Sequence, residues 1–427
     1  MILASTFLSH SAHNKPLVQM VAHELGRLGI AAWLDINELG VGTDLDTALS
    51  AAVRKQATLT IFLSPEAIAS DWVMEELRTA LKKQKEAAQV EIFPVYLGDP
   101  VTLIKSCDPI NPGWLSDDNK HAKIIGDMVA PAEDMAVAAK RIADKLARSI
   151  YQRLDFRGAD KIAIYLDQRG AGARTGDTVA LPDNAPHVPT LVFRTSLSAR
   201  TANETIYGDD WLDFSRAVQH ALGNACGTLR ERAKRIYLYG HSQLAFPFLI
   251  GHTWDRTTSA NLFCYNSRDR VIFENEKQER RELLTGGNRH CNAPHPRLEP
   301  IIAGTPHHAM ALVVAKEPRL LDVLKYQAAQ PEKLPVAWVP TGIYNESKEV
   351  MDFAADLVAL LLRLKRENDL ETIHLFTDLP FHALPLLAAN LRYAVHNIWL
   401  MEYRKDLERH HPADGDLYVA LEMIRDF

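Results

Sequence analysis

The segment SPEAIASDWVMEELRTAL, residues 64–81, carries two adjacent glutamates, Glu75 and Glu76, just after Trp72. A carboxylate shielded from water can act as acid or base, or stabilise a developing positive charge. Neighbouring residues on a helix diverge by about 100°, so only one of the pair can approach the interior. Val73, Leu77, Ala80 and Leu81 fall in one arc, the expected buried stripe. Glu75 projects nearly opposite that arc. Glu76 lies roughly 85° from its centre, on the flank, with Trp72 one turn earlier on the same flank. Glu76 is therefore the candidate for chemistry. The pattern also accommodates a boundary glutamate in a surface ion pair.

The elements around this segment would place it at the end of a parallel sheet. ILASTFLS, IAAWLD, TLTIFLS and EIFPVYLG read as strands. Between them, PLVQMVAHELGRLG spaces Leu17, Val21, Leu25 and Leu28 helically and stops at Gly29, and DLDTALSAAVRKQ reads as a second helix. Strands alternating with helices predict an α/β domain with crossover connections, whose ligands sit at the C-terminal strand ends. Ser9 and His10 fall at such an end, as substrate contacts or as ordinary turn residues. PAEDMAVAAKRIADKLARSIYQRL reads as a long helix with Pro131 near its start, and a domain boundary is expected near residue 155.

Composition narrows the function classes. The chain has 427 residues, 47% apolar and 24% charged, enough for two or three globular domains. A formal charge of -6 provides no global basic field for duplex nucleic acid. Cys107, Cys226, Cys264 and Cys291 form no CxxC pair, which fits a reducing compartment and predicts no thiolate metal site. The histidines of HCNAPHPRLEP and GTPHHAM have no ligand spacing and read as loops. No apolar run approaches the roughly 20 residues of a membrane span. The N-terminus reads as a strand rather than a signal peptide, and the cytoplasm is the expected compartment.

From about residue 158 a strand pattern starts again, and an internal echo follows. RIYLYGHSQLAFPFLIGHTW…ANLFCYNSR and TIHLFTDLPFHALPLLAANL…HNIWLMEYR both read as strand, polar turn, apolar helix with a proline, strand. Ile236 matches Ile373, Leu238 matches Leu375 and Leu262 matches Trp399 at one offset. A duplicated α/β unit with a shared cleft is the simplest account; chance similarity of two strand-helix pairs is the other.

TFLSHS, AAWLDINELGVGTDLDTALSAAV, LTIFLSPEAIASDW and the glutamate four residues after Trp72 resemble a TIR domain over roughly residues 3–98. Val73 stands where many members carry cysteine. The resemblance implies a flavodoxin-like TIR domain over 1–155 and, for its enzymatic members, NAD+ hydrolysis with Glu76 as the catalytic residue. Ser9, His10, Trp33, Asp35, Gly42 and Trp72 are the substrate-binding candidates. Many TIR domains are adaptors instead, so a non-enzymatic signalling scaffold is the alternative.

IHLFTDLPFHALPLLAANL with IWLMEYR, and IYLYGHSQLAFPFLIG in the earlier copy, resemble a SAVED domain of two fused CARF-like units. It would cover 156–427, with halves at about 158–330 and 331–427. With a TIR domain this resembles the TIR-SAVED effectors of bacterial CBASS antiphage defence. The resemblance implies a cyclic-oligonucleotide activator, cyclic tri-adenylate, and self-association into head-to-tail filaments. In that assembly the loop NELGVGT, residues 37–43, would complete a composite site. NAD+ is then substrate, and no cofactor, metal, membrane or duplex nucleic acid is expected. A phosphate ring needs cationic or amide donors, and its bases need aromatic or guanidinium faces. Strand-end candidates are Gln168, Arg169, His241, Ser242, Gln243, Thr377, Asp378, Phe381, Tyr403 and Arg404, with Trp338 and Tyr344 flanking the strand that starts the second copy. A hydrolase acting on its own cyclic ligand is a third reading.

Overall fold

The computed structural model describes residues 2–34, 58–87, 91–107, 127–129, 133–156, 158–167, 188–194, 209–226, 235–253, 261–266, 271–272, 301–303, 308–341, 347–391, 394–395, 397–403 and 418–423. The chain divides into two compact units. One comprises Met1–Gly158, Ala171–Leu181 and His187–Ala199; the other comprises Ala159–Gly170, Pro182–Pro186 and Arg200–Phe427.

The first unit holds a parallel sheet in the order β3 (Ala31–Trp33), β2 (Ser5–Ser9), β4 (Thr58–Leu63), β5 (Glu91–Tyr96), β6 (Asp127–Met128). Along the sheet the strands run second, first, third, fourth, fifth, which is the flavodoxin-like order. The expected strand ILASTFLS divides at Ala4. Ile2–Leu3 form β1, which pairs with β8 (Pro189–Arg194). The Ala4 N–H donates to the Thr190 carbonyl at 2.7 Å, while its carbonyl accepts from Ala31 N at 2.8 Å. One residue thus serves two pairings, and the chain changes partner there.

Helix Lys15–Arg27 buries Leu17, Val18, Val21, Ala22 and Leu25, as its spacing requires. It stops at Gly29, whose φ of 74° suits glycine. The quoted segment forms two helices. Pro65–Ile68 is a single turn capped by Ser64, whose hydroxyl accepts from Ala67 N at 3.1 Å. Asp71–Ala87 follows and packs Val73, Met74, Leu77 and Ala80 against Phe7, Leu59, Ile61, Leu63 and Ile92. Helix Met135–Arg153 is capped by Asp134, which accepts from Ala136 N and Val137 N. Pro131 lies outside the described residues, as does the predicted helix DLDTALSAAVRKQ.

In the second unit, β7 (Lys161–Asp167), β9 (Arg235–His241) and β10 (Asn261–Asn266) run parallel, with β11 (Val271–Ile272) antiparallel beside β10. A second sheet has the order β12 (Ile301–Ala303), β14 (Val336–Val339), β13 (Ala309–Val314), β15 (Thr372–Thr377), β16 (Asn397–Tyr403), β17 (Tyr418–Glu422). Its four inner strands are parallel and its two edges antiparallel.

The echo is realised as β9, helix Ala245–Thr253, β10, and as β15, helix Leu384–Leu391, β16. The registers differ by one residue: Ile236 lies opposite Leu262, but Ile373 lies opposite Ile398 rather than Trp399. Residues Ala245–His252 and Leu384–Leu391 are buried throughout, because these two helices pack on each other. At Gly251 a Cβ would lie 2.1 Å from the Pro385 carbonyl oxygen, so the contact is backbone to backbone.

Three expectations need correction. The second sheet begins at Ile301, not near residue 331, because β13 is a central strand held between β14 and β15. Trp338 lies inside β14 rather than flanking a strand. Tyr403 closes β16, and β17 follows it. Of GTPHHAM, Ala309 and Met310 already belong to β13.

Candidate functional site

Strand order reverses between β2 and β4, and ligands of such sheets lie in the crevice beyond the strands there. Ser9 ends β2, with its backbone opposite Ile61 of β4. In a parallel pair the side chains alternate together, so Phe7 and Ser9 share the face covered by helix Asp71–Ala87. Glu76 descends from that helix, and the Ser9 hydroxyl donates to its Oε2 at 2.5 Å. Glu76 is 3% exposed and Ser9 1%. A carboxylate so far from water is held only with such partners. Glu75, one residue away, is exposed and pairs with Arg78 on the surface. A second polar cluster lies beside the strand ends: Asn14 Oδ1 accepts from Ser11 Oγ at 2.5 Å and from Ser64 Oγ at 3.0 Å.

Residues 6–124 match the family model described as TIR domain. The N-terminal region is a TIR domain. In solved structures, the Acinetobacter baumannii Cap4 SAVED/CARF-domain containing receptor with the cyclic trinucleotide 2'3'3'-cAAA aligns at TM-score 0.43 and 10% identity, covering 96% of this chain and 98% of that one. The Moraxella osloensis Cap4 SAVED/CARF-domain containing receptor aligns at 0.37 and 11%, covering 90% and 86%. The TIR domains of the activated Roq1 resistosome align at 0.28 and 22%, covering 34% and 99%. No curated protein matches the chain.

Within the TIR domain the expected substrate residues separate. Ser9 joins Glu76. The His10 ring engages its own strand instead, with Nδ1 3.0 Å from the Leu8 carbonyl. Trp33 lies opposite Phe7 and packs on the sheet–helix core, with its Nε1 buried and without a partner among the described residues. Trp72 is 39% exposed at the start of the helix, whereas Glu76 one turn on is buried. The two residues lie one turn apart on the helix, and the core closes over only the later turn. Asp35 and Gly42 lie outside the described residues.

In the second unit, the C-terminal ends of three adjacent strands converge on Asp378. Its carboxylate accepts from Lys316 N after β13 at 3.1 Å and from Thr341 Oγ1 after β14 at 3.3 Å. Thr377 Oγ1 accepts from Leu379 N at 3.1 Å and shapes the same turn. These two residues hold strand ends together. Trp338 Nε1 donates to the Ala315 carbonyl at 2.9 Å, and Phe381 is half-buried before the following helix. The Ser242 hydroxyl is buried without a partner among the described residues. Gln243 lies in the same turn, where its carbonyl accepts from Phe246 N at 3.2 Å. His241 ends β9. Gln168, Arg169, Tyr344 and Arg404 lie outside the described residues.

Sequence reading passed over two residues here. The Arg319 guanidinium sits 4.6 Å above the Tyr403 ring and donates to the Tyr418 hydroxyl at 3.4 Å. Burial acts to lower the Arg319 pKa, but Tyr418 and Asp322 outweigh it and hold the group above its ordinary value. One face of Tyr403 is therefore already occupied by a cation, and Arg319 stands at the strand end. The second is Glu402, 8% exposed in β16. A lone charge inside the apolar run IWLMEY was the signal available for it. Among the described residues no cluster of three His, Cys, Asp or Glu side chains could hold a metal ion, and no helix is long and apolar enough to cross a membrane.

Proposed function

We propose that the chain is a TIR NAD+ glycohydrolase controlled by a cyclic oligonucleotide bound to its second unit, acting as an antiviral effector of the CBASS type. The observation that carries the catalytic half is the buried Glu76 carboxylate, oriented by Ser9 at the switch point of the sheet. In NAD+ the nicotinamide is a cationic pyridinium. When its bond to ribose C1′ breaks, the electron pair goes to the ring nitrogen and a neutral base departs without a general acid. The ribose passes through an oxocarbenium-like state, whose positive charge one nearby carboxylate can stabilise. Water then adds its oxygen to C1′ and releases a proton, giving nicotinamide and ADP-ribose. Ordinary glycosidases need a second carboxylate because their leaving group must be protonated.

The regulatory half rests on the SAVED-like sequence segments and on the duplicated strand-helix-strand unit. Cyclic tri-adenylate is the activator proposed, with head-to-tail assembly of ligand-bound chains as the route to a complete TIR site. A head-to-tail contact that does not close grows as an open filament. The test incubates the purified chain with NAD+, with and without cyclic tri-adenylate, and measures nicotinamide release alongside light scattering. Ligand-dependent cleavage that rises more than linearly with protein concentration is expected. Ligand binding without cleavage would instead favour a signalling scaffold.

A further inference from the structure

Two segments expected to face the nucleotide lie far apart in sequence: the turn at Ser242 and Gln243 after β9, and Tyr403, which ends β16. Glu402 fastens them together. Its Oε1 accepts from Leu244 N at 3.2 Å and its Oε2 from Ala245 N at 2.9 Å, across 158 and 157 residues of sequence. These amides open helix Ala245–Thr253, so the carboxylate satisfies backbone donors that the helix leaves unpaired. Met401, Tyr403 and Trp399 face the aromatic cluster of Tyr326, Phe376 and Tyr418. Glu402, between Met401 and Tyr403 on the strand, projects to the opposite face, where the two echo helices meet.

We propose that Glu402 is a positioning residue of the nucleotide site, holding the two halves of the second unit in one register so that both turns engage the same ligand. This rests on the reading of that unit as a cyclic-oligonucleotide sensor. Burying a carboxylate is costly, and an apolar residue would satisfy the strand at least as well. A carboxylate offers a separate oxygen to each of two successive amides, which an apolar side chain does not. The turn it holds carries Ser242, whose buried hydroxyl has no partner among the described residues. In the nucleotide-bound state a ligand group can supply one. An anionic side chain at this helix start also excludes a ligand phosphate from those amides. The phosphates must then be met elsewhere, and Glu402 contributes geometry rather than contact.

The variant is Glu402→Gln, which keeps the shape but turns an N–H group toward one of the two amides. In the full chain, calorimetry with cyclic tri-adenylate should show affinity reduced about tenfold or more. NAD+ cleavage at saturating ligand should recover toward that of the unaltered chain. A lowered melting temperature with unchanged affinity would mean a merely structural role and overturn the proposal. Because the variant could fail to fold, hydrogen exchange on the unaltered chain gives a second arm. Added ligand should protect residues 243–246 and 398–403 with one common midpoint; separate midpoints would also overturn it. No binding of cyclic tri-adenylate by the unaltered chain would overturn the sensor reading itself, and is distinguishable from a defect confined to the variant.

Discussion

Ser9 and Glu76 stand 67 residues apart in the chain and 2.5 Å apart in space. The bond joins the end of the first strand of the TIR sheet to a helix two crossovers later, and it selects one of two adjacent glutamates.

Glu76→Gln preserves size and removes the charge. NAD+ cleavage should fall by about a hundredfold or more, while cyclic tri-adenylate binding is unchanged. Glu75→Gln removes only an exposed pair with Arg78, worth about 0–1 kcal/mol, and should leave both intact. Nicotinamide release by chromatography is the measurement; an active Glu76→Gln together with a dead Glu75→Gln would refute the assignment.

Ser9→Ala deletes the donor and leaves the carboxylate in place. A hydrogen bond to a charged group contributes about 1.5–3 kcal/mol, so cleavage should slow by about tenfold to a hundredfold. Ser9→Thr keeps the hydroxyl and should retain more activity than the alanine variant. Equal rates for the two variants would show that the hydroxyl does not matter.

Gly251→Ala tests the contact between the echo helices. The added methyl meets the Pro385 carbonyl at 2.1 Å, and neither backbone can turn aside as a side chain would. Destabilisation of about 1–3 kcal/mol is expected in denaturant unfolding. Neutral stability would show that the two helices can separate freely.

Burial pushes the Tyr418 phenol from 10.0 up to about 12, although nearby Arg319 acts to lower it. The fold favours the neutral phenol. Its contribution is therefore fully present below about pH 10 and is lost as pH rises through about 12. Melting temperature should fall across that window, and the fall should be shallower in Tyr418→Phe. Identical profiles for the two proteins would remove Tyr418 as the cause.

The order of elements in the TIR domain was legible in sequence because hydrophobic periodicity is local. Leu17, Val21 and Leu25 needed only one another to define a buried face, and Val73, Leu77 and Ala80 did the same for the helix bearing Glu76. That stripe separated Glu76 from Glu75 before any contact was known. The division of SPEAIASDW into two helices was less visible, because it depends on the Ser64 cap, whose residue type suits a longer helix equally well.

Strand partnership and polar pairing were decided by tertiary structure. β1 leaves its own run to join β8, and β13 joins the later sheet, because backbone donors pair with whatever strand the fold brings within reach. Sequence alone placed Glu76 at a boundary; Ser9 makes that boundary a buried site. Sequence also offered Asp378 and Tyr403 as ligand contacts, whereas the fold occupies Asp378 with Lys316 and Thr341 and covers one face of Tyr403 with Arg319. Glu402 carries the same lesson: a charge within an apolar strand becomes intelligible only when two amides from 157 and 158 residues away arrive to meet it, since a hydrogen bond is specified by position in space and leaves no period in the sequence.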